Sequence, residues 1–194
     1  LAFFIMGFAV LLESARSSEL KFARALRPLA VFGLMHGIHE WGEMFEKVLA
    51  LTQNYQLTVD EHILRVMWLA GSFIALLIFG TLMITASSST TTPPRRWVWL
   101  IPSTLTLIWI GGVPLLNPFV STPHELLILI DVWARYTLGI PAGIMAAIGF
   151  VQQQRAFREQ GLTRFGRDML WAAIAFGWYG IFGQIFTQRS VLFP

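Results

Sequence analysis

Long apolar stretches alternate with short polar connections along almost the whole chain. A helix needs about 20 consecutive apolar residues to cross the roughly 30 Å hydrocarbon core of a bilayer. The pattern therefore predicts an all-α polytopic transmembrane helix bundle of about six helices. The predicted stretches are Leu1–Leu12, Leu29–Leu49, Leu64–Thr85, Trp97–Leu116, Leu126–Val151 and Met169–Thr187. The first stretch is too short to span, so we expect residues to be missing upstream of it.

Basic residues are concentrated in alternate connections between these stretches. Residues 13–28, 86–96 and 152–168 together hold ten of the fourteen lysines and arginines. Because cytoplasmic connections carry an excess of basic residues, this asymmetry predicts that these three connections are cytoplasmic and that the chain starts outside. Six crossings then place Pro194 outside as well. We expect residues 1–194 to form a single transmembrane domain of a longer chain, with a seventh helix needed to reach any cytoplasmic domain further on.

Composition supports the membrane interpretation and excludes several other classes. The chain is 55% hydrophobic and only 13% charged, with a mean hydropathy of +0.61, whereas soluble domains usually carry about 25% charged residues. Cysteine is absent, which excludes disulfides and thiolate ligands. The basic balance lies in the loops that set topology, so we expect the lipid bilayer as partner and no nucleic acid.

The second predicted helix carries the strongest candidate chemistry. His36, His39, Glu40 and Glu43 fall within an arc of roughly 100° on one helix face. Ionisable groups at membrane depth are costly unless they are paired, hydrated or bound to an ion. Three interpretations remain open: a structural hydrogen-bonded network, a metal or haem site, and a ligand or proton-sensing pocket. A transition-metal ion is favoured over haem, because both membrane-embedded histidines lie on one helix.

Further polar residues are expected at the same outer level. His62 precedes the third helix, and His124 and Glu125 open the fifth, where His124 is a candidate N-cap or metal ligand. Asp131 and Arg135 are spaced i, i+4, so they can neutralise each other on one helix face, although the Arg135 guanidinium also suits an anionic ligand. Catalytic motifs of hydrolases, nucleotide-binding proteins and zinc proteases are absent from the sequence, so no catalytic residue is assigned.

Three segments of the chain resemble the N-terminal membrane-sensor region of bacterial sensor histidine kinases. They are FGLMHGIHEW at residues 32–41, RYTLGIPAG at residues 135–143 and the basic stretch at residues 152–161. The resemblance implies a receptor-like input domain in the bacterial inner membrane, with its start outside and a further helix leading to a cytoplasmic kinase module. The present residues contain no phosphoacceptor histidine motif and no ATP-binding glycines, so kinase activity is not assigned to them.

Two hypotheses follow for the function. The first is a sensory input domain in which a stimulus at the outer His/Glu cluster shifts helix packing. The second is a metal- or haem-binding accessory subunit of a membrane redox or photosynthetic complex. Either hypothesis implies a homo-oligomer or a larger membrane assembly.

Overall fold

A computed structural model of the chain describes residues 1–16, 21–87, 96–186, 190 and 192. Every regular element within these ranges is helical, so the predicted all-α class is confirmed. The helices are α1 (Ala2–Arg16), α2 (Lys21–Gln53), α3 (Val59–Ser87), α4 (Arg96–Leu116), α5 (Pro123–Ala134), α6 (Ile140–Glu159) and α7 (Thr163–Ile185). A short 3-10 turn, Asn117–Phe119, follows α4, and a π-helical segment, Arg135–Gly139, joins α5 to α6.

Segments α5, Arg135–Gly139 and α6 form one continuous helical rod, Pro123–Glu159. The π segment inside this rod has an identifiable cause. Pro141 has no backbone N–H and so cannot donate to the fourth residue before it. The N–H of Ile140 instead donates to the carbonyl of Arg135, five residues earlier. The wider turn that results starts at Arg135, one of the predicted site residues.

Consecutive rods run in alternating directions, and α3 lies at the centre, packed against α2, α4, α5 and α6. We call the end that carries residues 54–58 and 117–122 the upper end, and the end that carries residues 160–162 the lower end. The buried core between the rods is mainly aromatic and aliphatic, and much of it is contributed by α3 and by the helices that pack against it. Its fully buried members include Phe32, Phe73, Leu76, Phe79, Leu129 and Leu138.

Glycines permit the closest helix contacts. A Cβ atom placed on Gly180 in α7 would lie 2.7 Å from the Cα of Gly143 in α6, far inside van der Waals contact. A Cβ on Gly33 in α2 would likewise lie 2.7 Å from the Cα of Gly7 in α1. Small residues at such crossings let two backbones approach in a membrane, where dispersion contacts drive helix association. Gly143 and Gly180 therefore form a close backbone contact between α6 and α7.

Three helices among the described residues are long and apolar enough to cross a membrane: Val59–Ala86, Val98–Phe119 and Pro123–Glu159. They contain the predicted stretches 64–85, 97–116 and 126–151 almost completely. Ala2–Ser14 is a shorter apolar helix. Many outward-facing side chains are apolar, including Leu107 at 69% exposure and Trp178 at 65%, which fits contact with lipid. The protein is therefore treated as an integral membrane protein.

Candidate functional site: a buried charged cluster at the upper end

Ionisable side chains from three helices converge near the upper end of the bundle. Because helix direction alternates, the second half of α2 and the first turns of α3 and α5 share this level. The sequence predicts which face of its helix a residue occupies, but not which residues on different helices meet. The structure brings seven ionisable side chains together, and we call this group the charged cluster. Its members are His39, Glu43, Glu46, His62, Arg65, Asp131 and Arg135.

Arg135 is the centre of the charged cluster. Its Nε donates to Asp131 Oδ1 at 2.6 Å, and its Nη2 donates to Glu43 Oε1 at 3.2 Å. Asp131 is fully buried and Arg135 is 5% exposed. The predicted i, i+4 pair of Asp131 and Arg135 is confirmed, and the link to Glu43 ties the rod that begins with α5 to α2. Such charge-assisted hydrogen bonds are shorter and stronger than neutral ones.

Arg65 is the second cation of the cluster. It forms an ion pair with Glu46, its Nη2 lies 3.0 Å from His62 Nε2, and the same nitrogen lies 3.9 Å from Asp131 Oδ2. Neither Arg65 nor Glu46 was predicted from the sequence as a site residue. The available signal was spacing, since Glu46 continues the face of His39 and Glu43 at i+7 and i+3.

His36 lies in a different environment from the charged cluster. Its Nδ1 is 3.3 Å from Ser72 Oγ on α3, and its Nε2 is 2.8 Å from the Tyr179 hydroxyl on α7. Its ring stacks on Phe32, with centroids 5.1 Å apart. Both ring nitrogens are therefore engaged, and His36 acts as a hydrogen-bonded junction of α2, α3 and α7. Glu40 lies 3.9 Å from His36 and is 42% exposed at its side chain, so it sits at the rim.

His39 points into the charged cluster. Its Nε2 lies 3.8 Å from Glu43 Oε1, and the ring is only 5% exposed. Within the described part of the chain, His39 Nε2 and Asp131 Oδ2 are buried without a hydrogen-bond partner. One ligand atom each from His39, Glu43 and Asp131 lie within 4.8 Å of one another. An imidazole nitrogen with two carboxylate oxygens is a donor set that suits a divalent transition metal.

The two candidate residues in the first turn of α5, His124 and Glu125, have different roles. Thr122 is the N-cap, not His124: its hydroxyl accepts from the Glu125 N–H at 3.2 Å, and the Glu125 carboxylate accepts from the Thr122 N–H at 3.2 Å. This reciprocal pair is a capping box, so Glu125 has a structural role. His124 is exposed, and its ring lies 5.1 Å from that of His62 by centroid, which places it at the exposed rim of the cluster.

A cleft of about 310 Å³ opens between α2 and α3 next to the cluster. Its accessible walls are mostly apolar, with Leu64 and Trp68 among them. The polar lining residues are His39, Glu46, Glu61 and Arg65. Concave apolar sites with a few convergent polar groups are typical of small-ligand pockets. The cleft therefore gives a route from outside the bundle to both members of one ion pair, Glu46 and Arg65.

Comparison of the chain with protein families, with curated proteins and with solved structures found no match. The functional interpretation therefore depends on what the charged cluster can do. Its five charged members are two arginines and three carboxylates, each held against a partner on another helix or the next turn. The cluster also contains His39 and His62 and adjoins a cleft. A proton, an ion or a small ligand can therefore change which of its charged side chains are paired.

Proposed function

We propose that this chain is the membrane-embedded sensory input domain of a signal-transduction protein, and that the charged cluster on the outward side is its stimulus site. The observation that carries the proposal is the link from α2 through Arg135 to the π-helical segment of the long rod. A change of pairing at Glu43 or Asp131 acts directly on the position where the rod changes its winding. Single-turn π segments are frequent at functional sites.

The desolvation cost of burying so many charged groups favours a functional role for the charged cluster over a purely stabilising one. Desolvating buried ions can exceed the gain from pairing them, and apolar residues of similar volume often serve stability equally well. Ionisable residues inside a membrane therefore mark functional sites by default. Asp131 has two cations within reach, Arg135 at 2.6 Å and Arg65 at 3.9 Å. Exchange of Asp131 between them supplies two discrete arrangements, which a stimulus can select.

The stimulus route in this proposal is the cleft between α2 and α3. A ligand seated there contacts Arg65 and Glu46 and competes with their mutual ion pair. Loss of that pair frees Arg65 to approach Asp131, which in turn weakens the hold of Asp131 on Arg135. The rod then responds at its π segment, and its far end, Glu159, moves at the lower end of the bundle.

The finer topology is part of the same proposal. Six crossings, a start outside, cytoplasmic basic connections and a further helix beyond Pro194 would deliver the signal to a cytoplasmic output module. The resemblance of residues 32–41 and 135–143 to the sensor histidine kinases of bacteria supports this arrangement. Both segments contain a residue of the charged cluster, His39 in the first and Arg135 in the second. Under this proposal the protein lies in the bacterial inner membrane. Any kinase chemistry belongs to the attached cytoplasmic module, and the described residues form the domain that receives the stimulus.

A second candidate function is metal binding by an accessory subunit of a membrane redox or photosynthetic complex. The His39, Glu43 and Asp131 group favours it, since these donor atoms lie within 4.8 Å of one another. A bound divalent ion would take over the two carboxylates from Arg135. Haem fits less well, because His36 uses both ring nitrogens and stacks nearly parallel to His39 on the same helix, at 16°.

The sensory proposal is tested by measuring whether the cluster is coupled to the lower end. The chain has no cysteine, so spin labels at Arg27→Cys and Glu159→Cys report one distance between α2 and α6 in nanodiscs. We expect Asp131→Asn to shift the distance distribution toward a second population. Glu125→Gln is the matched control, since it alters a carboxylate on the same helix outside the cluster.

Identical distributions in folded wild type, Asp131→Asn and Glu43→Gln would contradict a sensory role and leave a structural network. Glu43 is 21% exposed at its side chain, so Glu43→Gln should fold even if Asp131→Asn does not. A shift that appears only when Zn²⁺ or Mn²⁺ is added, and that His39→Ala abolishes, would favour the metal-binding function instead.

A further inference from the structure

A second concavity lies far from the charged cluster, along the outer face of α6 and α7 near the lower end. It has a volume of about 490 Å³, and we call it the α6/α7 groove. Its walls are almost entirely aliphatic, and several of them, such as Ile144, Ile148 and Ile174, are 39–50% exposed. Ile144 and Ile148 lie in the membrane-spanning candidate Pro123–Glu159, so their exposed side chains suit contact with lipid rather than with water.

Small residues give the groove its depth. A Cβ on Gly177 would find only the Cβ of Ala147 within reach, at 3.7 Å, which is ordinary contact. Space therefore remains above Gly177, in contrast to Gly180 one turn further on, where the backbones of α6 and α7 already touch. The groove is a depression between the outer faces of α6 and α7, beside their close contact at Gly143 and Gly180.

The lower mouth of the groove is polar and basic. Gln152 and Arg155 line it, and Arg155 is exposed. The Oε1 atom of Gln152 is buried and has no hydrogen-bond partner among the described residues. Residues 152–168 around the mouth contain four arginines against two carboxylates. The local field therefore favours an anionic group beside Arg155, while the interior of the groove excludes one.

The length of the groove matches one leaflet of a bilayer. Ile144 and Arg155 are eleven residues apart on α6, which corresponds to roughly 16 Å at 1.5 Å per residue. Half of the approximately 30 Å hydrocarbon core is about 15 Å. An apolar channel of this length with a basic mouth is complementary to a phospholipid, and basic pockets between transmembrane helices bind anionic head groups.

We propose that the α6/α7 groove is a binding site for an anionic phospholipid. One acyl chain lies along Ile148, Ile174 and Gly177, and the phosphate is paired with Arg155. The site is separate from the charged cluster, so it stands or falls independently of the sensory proposal.

Native mass spectrometry of the purified chain tests the site with two probes, phosphatidylglycerol and phosphatidylcholine. We expect wild type to retain phosphatidylglycerol preferentially. Arg155→Gln should lower that preference about fivefold, since one cation at a membrane surface contributes on the order of 1 kcal/mol. Lys47→Gln is the charge control, because Lys47 is exposed at the upper end. Equal retention of both lipids by wild type would overturn the head-group assignment.

Filling the groove separates a lipid site from other occupants. Gly177→Leu should reduce retention of both lipids, whereas Gly111→Leu, at an open position on α4, should not. If Gly177→Leu fails to fold, Ile148→Trp blocks the groove from its exposed rim. Unchanged lipid retention in the filled variants would overturn the proposal. Conversion of a dimer to a monomer without loss of lipid would also overturn it and assign the groove to a second copy of the chain.

Discussion

Arg135 Nη2 donates to Glu43 Oε1 at 3.2 Å, although the two residues are 92 positions apart in the chain. The same guanidinium holds Asp131 through its Nε. One side chain therefore joins α2 to the rod that begins with α5, at the turn where that rod becomes π-helical. Several consequences of this arrangement can be measured.

Removing the central cation should destabilise the fold strongly. Arg135→Met leaves Asp131 buried without its main partner, and loss of one member of a buried pair typically costs about 3–5 kcal/mol. Unfolding in mixed detergent micelles, followed by circular dichroism, measures the change. Lys47→Met serves as the control, because that side chain is exposed. The double variant Arg135→Met/Asp131→Leu should recover much of the loss, since it leaves no unpaired buried charge; a loss equal to or greater than that of the single variant would contradict this account.

Metal binding, if present, should depend on His39 and not on His36. The two ring nitrogens of His36 are occupied by Ser72 and Tyr179, whereas His39 Nε2 has no hydrogen-bond partner among the described residues. Elemental analysis after dialysis against Zn²⁺ compares His39→Ala with His36→Ala. We expect bound zinc to be lost in the first variant and retained in the second. Equal loss in both would show that the ion lies elsewhere on α2.

A methyl group at the crossing of α6 and α7 should force the helices apart. Gly180→Ala places a Cβ 2.7 Å from Gly143 Cα, and overpacking of this kind typically costs about 1–3 kcal/mol. Gly111→Ala meets nothing within 4 Å and should be neutral or slightly stabilising, because alanine is the better helix former. Thermal unfolding of the two variants in the same detergent gives the comparison. Equal unfolding temperatures would mean that the crossing is looser than described.

The phenol of Tyr55, in the connection between α2 and α3, should titrate late. Its hydroxyl donates to Glu61 Oε2 at 2.7 Å, and this hydrogen bond raises the pKa of Tyr55 above its usual value. Because the folded pKa exceeds the unfolded value of about 10, the contribution to stability is present below that pH and is lost as the pH rises through the folded pKa.

Phenolate absorbance measures this titration, and the difference between wild type and Tyr55→Phe assigns it among the three tyrosines. Glu61→Gln removes the nearby charge and should move the Tyr55 midpoint down toward its ordinary value. A midpoint that is unchanged in Glu61→Gln would contradict the hydrogen bond as its cause.

The sequence by itself determined the helical class, most of the helix positions and the existence of a polar face on α2. These features depend on local chemistry: apolar runs of membrane length, basic connections, and residues at i, i+3 and i+4 on one face. The pair of Asp131 and Arg135 was predictable for the same reason, since both partners lie on one helix.

Only the tertiary structure decided which polar residues meet. It gave His36 and His39 different partners, although they are three positions apart. The reason is that α7 brings Tyr179 to the first and α5 brings Asp131 near the second. It assigned Glu125 to a helix cap, and it brought Arg65 and Glu46 into the cluster. Periodicity fixes the direction of a side chain from its own helix axis, but partners across helices depend on rotation, depth and crossing angle. Those quantities are set by packing contacts such as Gly143 against Gly180, which couple residues far apart in the chain.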